Sequence, residues 1–205
     1  MDGTLILIRH GESEWNAKNV WTGLTDIGLT QKGEDEAKAA AVLVRDISFN
    51  AAFTSRLKRA NQTLDIILNE LHLTGISVTK HEALNERDYG IFTGKNKLEI
   101  KAQLGEQEFL KLRRGWDYPV PEGESLKQVY ARVVPFYEST ISPLVMTGKK
   151  VIIVAHGNSL RALIKKLEGV SDEEISNVEL RTGEVLLYGI NSEGKVVSQE
   201  HRIQH

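Results

Sequence analysis

Two histidines in this chain stand at equivalent places. Each ends an apolar run and precedes a glycine: His10-Gly11 follows LILIR at 5–9, and His156-Gly157 follows VIIVA at 151–155. If the two runs are neighbouring parallel strands, both imidazoles emerge at one edge of a sheet, where α/β sheets place their ligands. Arg9 adjoins His10, and Arg56, Lys58 and Arg59 crowd the start of a helix after the run at 51–54. Cations oppose the dipole in a first turn, and an anionic ligand would reverse that, since guanidinium forks and helix N-termini both hold phosphate. Either histidine could instead simply cap a strand end, and Arg56 and Lys58 suit a solvated basic face.

Three further stretches carry more polar chemistry than scaffold needs: LNERDYG at 84–90, GKNK at 94–97 and LRRGW at 112–116. GKNK lacks the spacing of a phosphate-binding P-loop, and no serine elbow, zincin helix or calcium loop is present. Taken singly, Tyr89 suits a core position, and Arg113 with Arg114 suits a solvated helix end.

The elements that must aim these groups follow from apolar patterning. Runs at 4–8, 51–54 and 151–155 read as buried strands, two of them without alternation, as in a sheet covered on both faces. Helical spacing appears at 29–44 and at 56–71, the latter with Ser55 as its expected N-cap. Ser125 and Gln128 form a capping-box pattern ahead of Tyr130, Val133 and Val134, and Pro135 is expected to kink or interrupt that helix. A helix marked by Leu160, Leu163, Ile164 and Leu167 should stop at Gly169, and Ser171 with Glu174 opens another capping box. The alternation predicts a three-layer α/β sandwich, a mainly parallel central sheet with helices on both faces. No linker or repeat divides the 205 residues, so one domain over 1–205 is expected.

Composition narrows the partners. The formal net charge of −2 offers no global field for nucleic acid or membrane, so an anion site must come from local clustering. The chain has no cysteine, which excludes disulfides, thiol catalysis and thiolate metal sites. The first apolar run is too short for a signal peptide, and no run approaches a membrane span. A soluble, cytoplasmic protein is expected.

In order along the chain come LIRHGESEWN, WTG at 21–23, SRLKRA at 55–60, LNERDYG, NK at 96–97, RR at 113–114 and AHGNSLRAL at 155–163. Together they resemble the cofactor-dependent phosphoglycerate mutases of the histidine phosphatase superfamily, over residues 4 to 188. The resemblance implies interconversion of 3- and 2-phosphoglycerate in glycolysis and gluconeogenesis. It implies His10 as the phosphoryl carrier, primed by 2,3-bisphosphoglycerate, with no metal. It implies that Arg9, Arg59 and His156 surround the transferring phosphoryl group, and that Glu86 is the acid/base. Gly11, Ser13, Asn16, Thr22, Gly23, Gly157 and Asn158 would hold phosphate and hydroxyl oxygens. Arg87, Tyr89, Lys97, Arg113 and Arg114 would grip the rest of the substrate. The partners implied are small phosphoglycerates, with a possible homo-oligomer.

A mutase needs cations at both ends of a small, highly charged acid, whereas a phosphatase of the same superfamily needs them at one end and a water. Lys97, Arg113 and Arg114 favour the mutase, and an inactive phosphoester-binding relative would not need His10 and Glu86 together. The chain departs from the family at Asp88, an extra carboxylate that would repel an anionic substrate unless it points away, and at Thr93-Gly94. The segment between Arg114 and Ser125, and the segment after the last strand, are shorter than in many members. A more open site would admit water, so some phosphatase side activity is expected.

Overall fold

The computed structural model describes residues 2–203. In chain order the elements are β1 (Gly3–Arg9), α1 (Glu14–Ala17), α2 (Gln31–Leu43), β2 (Ala51–Thr54), α3 (Lys58–Glu70) and β3 (Ser77–Lys80). They continue with α4 (Lys97–Leu104), α5 (Glu106–Arg114), α6 (Leu126–Phe136), α7 (Ser142–Met146) and β4 (Lys150–Ala155). The last are α8 (Gly157–Glu168), β5 (Val185–Ile190) and β6 (Val196–Arg202).

The strands form one sheet in the order β3-β2-β4-β1-β5-β6. The pairings β3-β2, β2-β4 and β4-β1 are parallel, while β1-β5 and β5-β6 are antiparallel. In β1 the side chains alternate between two buried faces. Leu5 and Leu7 join Phe53, Val129, Val133, Ile153 and Leu160 on the side of α6 and α8. Ile6 and Ile8 join Ala40, Val44, Leu64, Ile67 and Val154 on the side of α2 and α3. Burial on both faces explains why these strands carry no polar alternation. A third cluster, Trp21, Tyr89, Ile100, Phe109, Leu112 and Val120, lies apart from the sheet and braces α4 and α5.

Several local expectations change. Helix α3 begins at Lys58, and Ser55 does not cap it: the Ser55 hydroxyl lies 2.7 Å from Nε2 of His156 and accepts from the Leu57 amide. The Asp26 carboxylate accepts from the Lys58 amide at 2.6 Å and supplies the anion that this N-terminus favours. Arg56 precedes the helix and pairs with Glu82 at 2.8 Å. The helix around Pro135 is not interrupted; α6 runs through it, widens into a π-helical turn at Tyr137–Ile141 and continues as α7. Pro135 has no N–H for the Ala131 carbonyl one turn back, and the helix widens directly after it. The capping box at Ser125 and Gln128 forms, and α8 ends at Gly169 in the left-handed region with φ 66°. The reciprocal bonds of Ser171 and Glu174 form but open only the short 3₁₀ turn Glu174–Asn177.

Candidate active site

Strands β1 and β4 pair in parallel with Arg9 opposite Ala155, so the next residue of each is a histidine at the same sheet edge. The His10 amide donates to the Ala155 carbonyl at 3.0 Å, and the two imidazoles sit edge to face with centroids 4.9 Å apart. Nδ1 of His10 lies 2.7 Å from the Gly11 carbonyl oxygen. A carbonyl only accepts, so Nδ1 carries the hydrogen and Nε2 keeps its lone pair. Burial, then the charges of Arg59 and Arg9, hold the His10 pKa well below the usual imidazole value, against the pull of the Gly11 carbonyl. His156 is lowered likewise, chiefly by burial and then by Arg59. Both rings are therefore neutral at pH 7, the form in which imidazole is nucleophilic.

Arg59 is buried in α3. Its Nη1 donates to the Thr25 carbonyl and its Nη2 to the Gly23 carbonyl, each at 2.9 Å, which fixes the loop before α2. Burial lowers its pKa to about 10, so it stays charged at neutral pH. With His10, Arg9, Asn16, Thr22 and Gly23 it lines a pocket of about 350 Å³. Arg9 Nη1 donates to the Leu180 carbonyl at 2.9 Å, leaving its buried Nε without a partner, as is the Thr22 hydroxyl. Unpaired buried donors facing a pocket are unstable unless something accepts from them.

Glu86 sits on the loop after β3, buried, and both its oxygens have defined surroundings. Oε1 accepts from the Arg87 amide at 2.8 Å, the Asn158 amide at 3.1 Å and the Asn158 Nδ2 at 3.0 Å. The last two come from the first turn of α8, where a carboxylate suits the dipole. Oε2 has no such donor and faces the Gly157 backbone, beside which the Arg9 guanidinium also lies. Asn158 Nδ2 also donates to the Tyr89 hydroxyl at 2.9 Å. Tyr89 is thus both a core residue, its ring tilted against Trp21 with centroids 4.4 Å apart, and part of the pocket lining.

A second pocket, of about 500 Å³, adjoins the first and shares Arg9, Trp21, Glu86, Tyr89 and Lys97 with it. It is also lined by Arg113 and Arg114, from the last turn of α5, and by Gly157 and Asn158. Lys97 opens α4, and its ammonium lies 5.6 Å from the Trp21 ring centre. Burial, then Arg113 and Arg9, pull its pKa down to about 8. Arg114 pairs with Glu179 and donates to the Val178 carbonyl. The two pockets form one cleft: His10 and Arg59 line one part, Arg113 and Arg114 the other, and Arg9 and Lys97 line both.

Not every expected residue reaches this cleft. The buried Arg87 guanidinium donates to the Leu112 carbonyl and stacks 4.5 Å from the Tyr89 ring centre; it supports Tyr89 from behind and does not line either pocket. Ser13 is buried as the N-cap of α1 and orders Asn16 through mutual hydrogen bonds, so Asn16 rather than Ser13 faces the pocket. Gly11 donates its amide to the Thr63 hydroxyl and packs on Gly33. His156 is fully buried and lines neither pocket; it touches the site only through its edge-to-face contact with the His10 ring. Asp88 lines neither pocket, and its Oδ1 accepts from the Gly90 amide. Residues not foreseen are Ser55 behind His156, Thr63 behind Gly11, Trp21 as the wall between pockets, Arg161 and Glu179. Arg161 lay within the quoted AHGNSLRAL stretch, whereas nothing in the sequence marked Glu179.

Among the described residues, no group of three or more His, Asp or Glu side chains could hold a metal ion, and no helix is long and apolar enough to cross a membrane.

The model of the histidine phosphatase superfamily (branch 1) matches residues 5–201. The 2,3-bisphosphoglycerate-dependent phosphoglycerate mutase of Brucella melitensis biotype 2 is 48% identical over 98% of both chains. That of Beijerinckia indica is 46% identical, again over 98% of each. Among solved structures, mycobacterial hydrolase 1 superposes with a TM-score of 0.81 at 22% identity, covering 99% of this chain and 98% of that one, which is a likeness of fold alone.

Proposed function

The chain belongs to the histidine phosphatase superfamily, and we propose that within it this protein is a 2,3-bisphosphoglycerate-dependent phosphoglycerate mutase, acting in the cytoplasm as one domain. The observation that carries the reading is the cleft with cations along its length: Arg59 beside His10, Arg9 and Lys97 shared by both pockets, and Arg113 and Arg114 in the second. The names of the Brucella and Beijerinckia relatives support the same substrate.

The donor set fits a doubly phosphorylated acid. The Nε of Arg9, one of the five cations, and the Thr22 hydroxyl are buried without partners, as donors awaiting an anion would be. When bound, 2,3-bisphosphoglycerate supplies the phosphoryl group that primes His10. From the phosphorylated His10, the free hydroxyl oxygen of a phosphoglycerate takes the phosphoryl group. The N–P bond breaks as the O–P bond forms, and the hydroxyl proton passes to Glu86. After the acid has turned end for end, His10 Nε2 takes the other phosphoryl group. The P–O bond breaks, and Glu86 returns the proton to the leaving oxygen. Oε2 is the oxygen that moves the proton, since Oε1 is occupied by three N–H donors. Arg9 and Arg59 stabilise the charge spreading over the transferring group, which is the main work of a phosphoryl-transfer site. Lys97, Arg113 and Arg114 hold whichever end is not reacting.

A coupled assay from 3- to 2-phosphoglycerate, with and without 2,3-bisphosphoglycerate and with inorganic phosphate followed in parallel, tests the proposal. Bisphosphate-dependent isomerisation with little phosphate released is expected. Phosphate release without isomerisation would make the protein a phosphatase on the same scaffold.

A further inference from the structure

Arg161 is a nearly fully buried arginine on α8 that the mechanism above does not use. Its Nη1 donates to Asn158 Oδ1 at 3.1 Å, and its Nη2 donates to the carbonyls of Arg114 at 2.7 Å and Ile175 at 2.6 Å. Burial, with Arg114 and Arg87 nearby, lowers its pKa to about 10, so it remains a cation at neutral pH.

From these contacts we infer that Arg161 is a positioning residue that sets the Asn158 amide and ties the far anion grip to the proton-transferring carboxylate. Arginine can only donate, so the Asn158 atom facing it must be the oxygen. The NH₂ group is thereby turned to Glu86 Oε1 and the Tyr89 hydroxyl. With Arg161 absent, the amide could flip, and its oxygen would then face the Glu86 carboxylate and repel it. The second hand of the fork holds the carbonyl of Arg114, the last residue of α5, and so sets the helix end that carries Arg113 and Arg114. One side chain therefore couples the geometry at Glu86 to that of the cations opposite. A lysine at this position would lack the planar fork that reaches three acceptors.

The inference rests on the mutase reading for its kinetic arm only. Arg161→Met and Arg161→Lys are compared with wild type in three measurements. Vanadate titration counts intact phosphate sites at His10, steady-state assays give kcat and KM for 3-phosphoglycerate, and NMR follows the Asn158 side-chain NH₂, assigned by its loss in Asn158→Asp. Both variants are expected to bind vanadate in full stoichiometry while KM rises about tenfold, as for a lost charge-assisted hydrogen bond. Misalignment of the proton-transferring group is expected to lower kcat about tenfold or more. The Asn158 NH₂ protons exchange slowly in wild type and faster in both variants. A merely structural role would lower the number of vanadate sites and leave KM unchanged, and that result would overturn the inference. So would fast exchange of the Asn158 NH₂ in wild type, which needs no variant to fold. If wild type fails to isomerise phosphoglycerate, the function proposal falls, and the vanadate and NMR arms still decide the role of Arg161.

Discussion

Gly11 and Gly33 pack backbone against backbone, so closely that a Cβ on Gly11 would lie 2.1 Å from the Gly33 carbonyl oxygen, and a Cβ on Gly33 would lie 2.0 Å from the carbonyl oxygen of Glu12. Gly33 is in the first turn of α2, and Gly11 follows His10, so a helix that lines neither pocket packs against the turn that carries His10. Gly33→Ala must push that turn aside. Overpacking of this kind costs about 1–3 kcal/mol of stability, and the displaced imidazole should lower kcat by about tenfold or more. Urea denaturation and steady-state assay of the variant check both figures. An alanine accepted with unchanged kcat would mean that the turn is free to move.

Lys97 makes the affinity depend on pH. With its pKa lowered to about 8, the ammonium is charged below that pH and neutral above it. Substrate charge favours the ammonium, so KM for phosphoglycerate should rise as pH passes upward through about 8. Lys97→Arg keeps its charge in this range and should flatten the rise. Initial rates between about pH 7 and pH 9.5 measure it; the same slope in wild type and Lys97→Arg would assign the titration elsewhere.

Arg113 separates the two ends of the cleft. Arg113→Ala should raise KM for 3-phosphoglycerate about tenfold to a hundredfold, the value of a hydrogen bond to a charged group. Hydrolysis of p-nitrophenyl phosphate, which has no second anionic end, should change by less than about threefold. Equal losses on both substrates would remove the argument for a two-ended site.

Glu86→Gln keeps the shape of the side chain, and its amide oxygen can accept the three hydrogen bonds made to Oε1. What it cannot do is move a proton. Loss of an acid/base lowers kcat by about a hundredfold to ten-thousandfold, while vanadate affinity and thermal stability should stay near wild type. A variant with near-normal turnover would pass the proton role to another group.

The sequence revealed most of this site because its residues lie at strand ends and in short continuous motifs. Leu5–Ile8 and Val151–Ala155 are buried on both faces, so their uninterrupted apolar character announced β1 and β4, and with them His10 and His156. Strand β3 is short and mostly exposed, and β6 is exposed along nearly its whole length, so neither carries an apolar signal. Strand β5, VLLYGI, was also not foreseen, although most of it is buried. The cluster of Trp21, Ile100, Phe109 and Leu112 joins residues some ninety positions apart, and no local pattern marks it. Ser55 was misassigned as a helix cap because its true partner, His156, is a hundred residues away. Arg87 and Arg161 show the same limit in charge form. Both read as cations, and only the fold decides that one supports Tyr89 from behind while the other grips Asn158.

The central claim is that His10 carries a phosphoryl group which a second acid molecule, rather than water, removes. It is tested most directly by incubating the protein with 2,3-bisphosphoglycerate, mapping the phosphorylated residue by mass spectrometry under mild alkaline conditions, and then adding 3-phosphoglycerate. The account predicts one phosphohistidine at His10, none in His10→Ala, and discharge accelerated by the added acid with little free phosphate formed. Phosphorylation at another residue, or discharge to phosphate at a rate indifferent to 3-phosphoglycerate, would contradict it.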